Sequence, residues 1–380
     1  MALSTLLKKF LVKNYMPIVP IIGKRISVFA FLIILCAGSH VHGATWLSES
    51  YFLDIEIEKI TPFSEAELGE KIKLAEQEGQ AETQYILARM YDDGIVIKQD
   101  KIKAEKLLTA AAVSGHKKAQ LALANFYNFK GDLTKSRKWF TELANNGNPI
   151  ANFQIGMFYE LGRGVFINPD KAMEYYLLSS QKNYLKADLR LALIYQHDEK
   201  KKNLAKAIHY YKKAASNADK ENALRISILL AKLYASIAKD QGSESDIFKW
   251  TLKAAELGDI DSQYLTGSRY QNGTGAPVDY EQARNWYTKA ADQGDIKSMT
   301  ALGYIHANGI GVPVNIEEGL RWYKYAAERG SDEAAWNLGN MYLSGSGVAK
   351  DEKEAQIWFK RAEILRNNKE IELRKKAANE

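Results

Sequence analysis

The stretch WYTKAADQGD (Trp286–Asp295) returns 36 residues later as WYKYAAERGS (Trp322–Ser331). Fainter copies run from Trp250 to Gly258 and from Trp139-Phe140 to Gly147. A second block alternates with the first. Leu302-Gly303 leads to Gly309-Ile310-Gly311-Val312, and Leu338-Gly339 leads through Tyr342 to Gly345-Ser346-Gly347-Val348. Anchoring each unit four residues before its Leu position gives Thr83, Ala119, Ala151, Ala187, Ile226, Ser262, Ser298 and Ala334. The spacings are 36, 32, 36, 39, 36, 36 and 36, a series that chance does not produce. Self-similarity at a fixed period marks a repeat architecture.

Each unit reads as two helices joined by a turn. In the first helix the anchor, the residue at +4 and the aromatic at +8 share one face, which is helical spacing. The residue at +5 is Gly or Ala in every unit, small enough for a neighbouring helix to approach closely. The Gly-x-Gly turn supplies positive φ. In the second helix an aromatic pair and an Ala-Ala pair three residues later face the packing side. That helix ends at Gly79, Gly115, Gly147, Asn183, Gly258, Gly294 or Gly330, residues suited to a left-handed cap; Ala218 is the one misfit. No single pair buries its apolar face alone, whereas stacked pairs do. The expected fold is all-α, a right-handed α-solenoid of about eight helix-turn-helix repeats over 81–364. Residues 44–80 supply an N-terminal segment with a lead-in capping helix from Glu65 to Glu78. Residues 365–380 extend the last helix, which runs on as Glu363 to Ala378, as a solvated C-terminal cap. Units 2, 4 and 5 lack the Gly-x-Gly turn, so 196–245 is the expected place for a changed twist or hinge.

The units resemble Sel-one-like repeats, a branch of the tetratricopeptide superfamily. The family pattern A-x-x-x-L-G-x-x-Y-x-x-G-x-G-V-x-x-D-x-x-K-A-x-x-W-Y-x-K-A-A-x-x-G is matched closely by units 3, 6, 7 and 8 and in part by the others. The resemblance covers about residues 65–365 and implies right-handed helical solenoids that act as adaptor scaffolds. Bacterial members of the family are often exported and linked to envelope function or host interaction. A eukaryotic branch organises protein-quality-control complexes. A cysteine-rich bacterial branch carries a disulfide in each repeat; this chain does not, so that branch's penicillin-binding properties do not transfer.

The net charge of +6 is unevenly placed. Residues 1–43 hold Lys8, Lys9, Lys13, Lys24 and Arg25 and no acid, which leaves +1 for the remainder. The basic character is therefore no sign of nucleic-acid binding. Lys24-Arg25 precede a 12-residue apolar run, Ile26 to Ala37, and then the small and polar GSHVHGA. That order is the plan of a secretory signal peptide, and the run is shorter than the roughly 20 residues of a spanning helix. Residues 1–43 are read as a cleaved signal, with cleavage after Gly43 or Ala44 and no membrane span in the mature chain; the alternative is an uncleaved signal anchor. Cys36 is the single cysteine, so no internal disulfide forms and the exported chain would carry no thiol. The expected location is the periplasm or the exterior of a bacterium.

Catalytic chemistry has no foothold in the motifs. Gly273-Thr274-Gly275 and Gly345-Ser346-Gly347 join helix to helix without a preceding strand or a Gly-Lys-Ser continuation, and read as turns rather than phosphate cradles. His116, His197, His209 and His306 have no i,i+3 or i,i+4 partner, so no metal site is expected. No Gly-x-Ser-x-Gly elbow occurs. The many tyrosines fall at repeat-defined core positions without a basic stripe, which favours packing over base stacking. The chain is therefore expected to be no enzyme and to need no cofactor. Its partner is expected to be a protein or peptide, with an association at the peptidoglycan layer, through a cell-wall enzyme, as the alternative.

The repeats also say where a partner would sit. First-helix positions +6 and +9 project away from the +4/+8 face, toward the expected concave side. Position +6 reads Arg89, Asn125, Met157, Leu193, Lys232, Ser268, Tyr304 and Asn340; position +9 reads Asp92, Asn128, Glu160, Gln196, Ala235, Gln271, Ala307 and Leu343. These change while their neighbours repeat, as expected of a ligand surface on a fixed scaffold, and equally of unconstrained surface. Arg89, Glu160, Lys232 and Tyr304 are the candidate protein-binding residues.

Overall fold

Short polar side chains start the helices. Asn148, Asp259, Asp295 and Ser331 each accept the N–H three residues on, at 2.7–3.0 Å, and open the first helix of a repeat. Asp100, Asp132, Asn168, Asn203, Asp279, Asn315 and Asp351 do the same for second helices. Such caps satisfy N–H groups that the helix itself leaves without partners.

The computed structural model describes residues 64–76, 79–94, 96–237 and 243–377. The signal segment and its cleavage region lie outside the described residues. The chain divides into two units, and all described residues belong to the second, Thr61–Glu380. They form seventeen helices and no strand. Helix α1 (Glu65–Glu76) precedes eight pairs. These are α2 (Ala81–Asp93) with α3 (Lys101–Val113), α4 (Lys117–Lys130) with α5 (Leu133–Asn145), α6 (Pro149–Leu161) with α7 (Pro169–Gln181), and α8 (Leu185–His197) with α9 (Leu204–Ser216). Then come α10 (Lys220–Ile237) with α11 (Glu244–Glu256), α12 (Ile260–Asn272) with α13 (Tyr280–Asp292), α14 (Ile296–Asn308) with α15 (Ile316–Glu328), and α16 (Asp332–Ser344) with α17 (Glu352–Ala377). The extensive interfaces lie between helices consecutive in the chain, as an all-α solenoid requires.

The expected core positions are filled. At +4, Leu87, Leu123, Ile155, Leu191, Leu230, Thr266, Leu302 and Leu338 are all buried. The small residue at +5 admits the second helix of its own repeat: a Cβ on Gly303 would lie 2.5 Å from the Tyr323 ring, and Gly156, Gly267 and Gly339 face Tyr176, Tyr287 and Phe359 in the same way. In the turns, Gly273 and Gly275 have φ of 68° and 79°, the left-handed region that a Cβ penalises. The second glycine has a further task. A Cβ on Gly275 would overlap the Glu244 carbonyl at the start of α11; Gly311 meets Tyr280 and Gly347 meets Ile316 likewise. Each such turn thus rests on the first residue of the preceding repeat's second helix.

Residues at +1 bind repeats together in a way the repeat pattern did not reveal. Gln84, Gln120 and Gln263 donate side-chain N–H groups to Ala75, Ala112 and Ala255 carbonyls, at 2.9–3.2 Å, in the last turn of the preceding helix. The matching residue of the fourth repeat is Asp188, fully buried, which accepts from the Ser180 hydroxyl at 2.5 Å. Lys213 Nζ lies 3.4 Å from it, and burial holds the Asp188 carboxyl above the usual carboxylate range.

The irregular spacings have local causes. In the second repeat α4 and α5 are joined by Gly131-Asp132 alone, where 162–168 does the same work in the third. Ahead of the fifth repeat, Ala218 lacks a left-handed conformation, and α10 begins four residues earlier than its counterparts, which absorbs the insertion. In place of a glycine turn the fourth repeat has Asp198, whose carboxylate accepts from Lys200 N and Lys201 N. The turn of the fifth repeat falls at 238–242, outside the described residues. The C-terminal extension is continuous with the last repeat helix.

Candidate partner-binding surface

The four candidate residues lie on α2, α6, α10 and α14, the first helices of alternate repeats, and no two share a repeat or an interface. Their surroundings differ. Arg89 is mostly covered and pairs with Asp93 one turn on, at 3.5 Å. Glu160 accepts from Arg190 Nε at 3.0 Å and from the Tyr176 hydroxyl at 2.5 Å. Lys232 is exposed, and the Tyr304 side chain is 48% exposed. Position +6 is therefore graded: Leu193 is buried, while Lys232, Tyr304 and Asn340 stand in water.

Position +9 has a structural task in three repeats. Glu160, Gln196 and Gln271 accept from the hydroxyls of Tyr176, Tyr211 and Tyr287 on the paired second helix. A buried tyrosine needs such a partner. Burial pushes all three phenols up, Tyr211 to about 12. The sequence carries only part of the signal: the repeat with Phe359 has Leu343 at +9, but the repeat with Tyr323 has Ala307 there.

Two clefts escaped sequence reasoning. One, of about 420 Å³ between the sixth and seventh repeats, is lined by Trp322, Tyr325, Arg321, Arg329, Asp292 and Met299 among others. Arg329 lies 4.2 Å from the Tyr325 ring centre there. The other, of about 470 Å³, is lined by Trp336, Phe359, Lys360, Glu363 and Arg366. Trp336 occupies +2, the position of Tyr85, Phe153 and Thr300, which meet His116, Tyr184 and Ser331 at the start of the following repeat. The array ends there, so Trp336 stays 47% exposed, its ring 4.7 Å from that of Phe359. Trp, Tyr and Arg are the side chains that most often carry binding energy. Among the described residues no group of three or more His, Cys, Asp or Glu is placed to hold a metal, and no helix is long and apolar enough to cross a membrane.

The model of the Sel1 repeat matches residues 81–116, 117–148, 149–184, 185–219, 248–259, 260–295, 296–331 and 332–363. The chain belongs to the Sel1 repeat family. The short fifth match falls on the repeat whose first helix is lengthened. Proteins of this Sel1 repeat family act as protein–protein interaction scaffolds. The chain is 26% identical over 224 residues to the chitin synthase regulator SKT5 of Saccharomyces cerevisiae, covering 55% of this chain and 32% of that one. It is 28% identical over 149 residues to chitin synthase regulatory factor 3 of Schizosaccharomyces pombe, covering 38% and 16%. It thus spans about a third or less of the length of these curated relatives. A solved structure of similar fold is c5321, a protective antigen of uropathogenic Escherichia coli displaying an SLR fold. The TM-score is 0.53 at 24% identity, covering 77% of this chain and 63% of that one.

Proposed function

We propose that the chain is an exported, non-catalytic adaptor that holds a protein or peptide partner on the first-helix face of its repeats. One observation carries the reading. Position +6 reads Lys232, Tyr304 and Asn340 in the fifth, seventh and eighth repeats and is open to water at each, while beside it +4 is Leu and +5 is Ala or Gly in all three. Arg89 and Glu160 extend the same face in the earlier repeats, held in place by Asp93 and Arg190. Solenoids bind along extended surfaces of this kind. Affinity capture from native extracts with the wild type and with Lys232→Ala/Tyr304→Ala tests it. A partner retained by the wild type and lost from a folded double variant supports the reading. Equal capture by both removes it.

Export rests on the charge, apolar core and small-residue order of residues 24–44, and does not depend on a bacterial host; both curated relatives are fungal. The expected mature N-terminus is Ala44 or Thr45, read by intact mass of protein from the native host. An uncleaved form confined to the cytosol overturns it. A second reading makes the partner an enzyme of a cell-wall polymer. The fungal relatives, as regulators of chitin synthase, favour it; at the peptidoglycan layer the counterpart would be a murein-processing enzyme. Recovery of such an enzyme in the same capture distinguishes this reading.

A further inference from the structure

The turns inside the repeats form one edge of the array, and its two ends differ. Successive turns touch along the first four repeats. Lys130 Nζ lies 2.8 Å from Glu105 Oε2 of α3, and Lys201 Nζ lies 2.7 Å from Asp170 Oδ1 at the start of α7. A Cβ on Gly164 would lie 3.1 Å from Leu133 of α5. Segments 93–103, 129–135, 161–171 and 197–206 of this edge contain eleven Lys or Arg against six Asp or Glu. The matching segments of the last three repeats, 272–282, 308–318 and 344–354, contain two Lys against seven acids. Three of the six acids on the basic stretch, Asp100, Asp132 and Asp198, are occupied by backbone N–H groups.

On the basic stretch three large apolar side chains stand in water: Ile102 is 84% exposed, Phe129 87% and Phe166 96%. The turn itself does not need them. The Phe166 position holds Pro277, Pro313 and Ala349 in the last three repeats, the Phe129 position Asn272, Asn308 and Ser344, and the Ile102 position Glu281, Glu317 and Lys353. By contrast, exposed Ile167, Val278 and Val314 lie against the turn glycines Gly162, Gly273 and Gly309 and have a packing role.

We propose that this edge is a peripheral contact for an anionic lipid bilayer. Ile102, Phe129 and Phe166 enter the acyl boundary while the lysines reach headgroup phosphates. Single apolar prongs on successive turns suit a fluid plane better than a folded partner, and neither cleft described above includes them. Lys98, Lys200 and Lys202 make no ion pair among the described residues, so their ammonium groups are open to phosphate. The acidic edge of the last three repeats is repelled by the same surface, which fixes the end that docks.

The test is co-sedimentation of the full chain with two kinds of vesicle, phosphatidylcholine alone and phosphatidylcholine with about a third phosphatidylglycerol. The expected result is pelleting on the anionic vesicles, weakened by added salt as screening shortens the reach of the charges. Phe129→Ser/Phe166→Ser should lower the partition about tenfold or more. Lys200→Glu/Lys202→Glu should lower it as well. Every variant keeps residues 1–43, so any contribution of that apolar segment is common to all, and far-UV circular dichroism checks folding. Equal pelleting on both vesicle types, or unchanged binding by these variants, overturns the proposal. Capture of soluble polyglutamate without any vesicle binding also overturns it, in favour of an acidic protein partner.

Discussion

At Gly303 a missing methyl group sets the distance between two helices, since a Cβ there would lie 2.5 Å from the Tyr323 ring. Gly303→Ala should cost about 1–3 kcal/mol by overpacking, read as a lower urea midpoint, although alanine is the better helix former. Glu160→Ala should cost a similar amount, about 1–3 kcal/mol, because it removes the carboxylate that accepts from both the Tyr176 hydroxyl and Arg190. Exposed Lys232→Ala should stay within about 0.5 kcal/mol in the same assay. This contrast is why partner binding is best tested at Lys232 and Tyr304. Asp188 makes a prediction in pH. Its folded carboxyl is held above the usual range by burial, so the native state keeps the proton more tightly than the unfolded chain. Its contribution to stability is therefore present below the ordinary aspartate value of about 3.9 and is lost as pH rises through the raised one. Asp188→Asn abolishes that step. The stability of the variant minus that of the wild type should climb across this interval and then level off; a flat difference would show that Asp188 titrates normally.

Among the helices, α17 departs most from the repeat and is the easiest to explain. Where six of the other second helices stop at Gly or Asn in a left-handed cap, the position 36 residues after Gly330 is Arg366, and the helix continues to Ala377. Arg366→Gly should cost roughly 1 kcal/mol of helix stability and speed amide exchange over 367–377, leaving α16 protected. Unchanged exchange beyond 366 would mean that the extension is held by something other than its own helicity. The helices were legible in the sequence because apolar spacing recurs at every copy and caps and turns agree with it in most. The irregular joints were legible only as irregular. That repeat two shortens a linker while repeat five lengthens a helix depends on which backbone groups find partners, and spacing alone does not say. The +1 glutamines were missed for a related reason. They are polar residues on a packing face, and their purpose appears only when the preceding helix end comes alongside.

For the array as a whole, cohesion is a matter of neighbours. The last three repeats keep a strict period and glycine turns seated on the preceding helix, whereas repeats four and five are set 39 residues apart and lack the Gly-x-Gly sequence. Hydrogen exchange should be faster across Gln196–Ser245 than across Ser262–Trp358, and uniform protection would count against the irregular joints as weak points. The docking surfaces were less legible than the fold. Summing charge beyond residue 43 gives a nearly neutral chain, and that sum conceals a basic edge at one end and an acidic one at the other. Only stacking brings the turns into line. The seating of each turn glycine on the repeat before it has a consequence for length. Excising the 36 residues 296–331 joins Asp295 to Asp332, with an N-capping aspartate already in place of Ser331. Gly347 then meets Tyr280, which already receives Gly311. The product is a seven-unit protein with both original ends, so the reach of this molecule can be shortened one module at a time, as a ruler is cut at its marks.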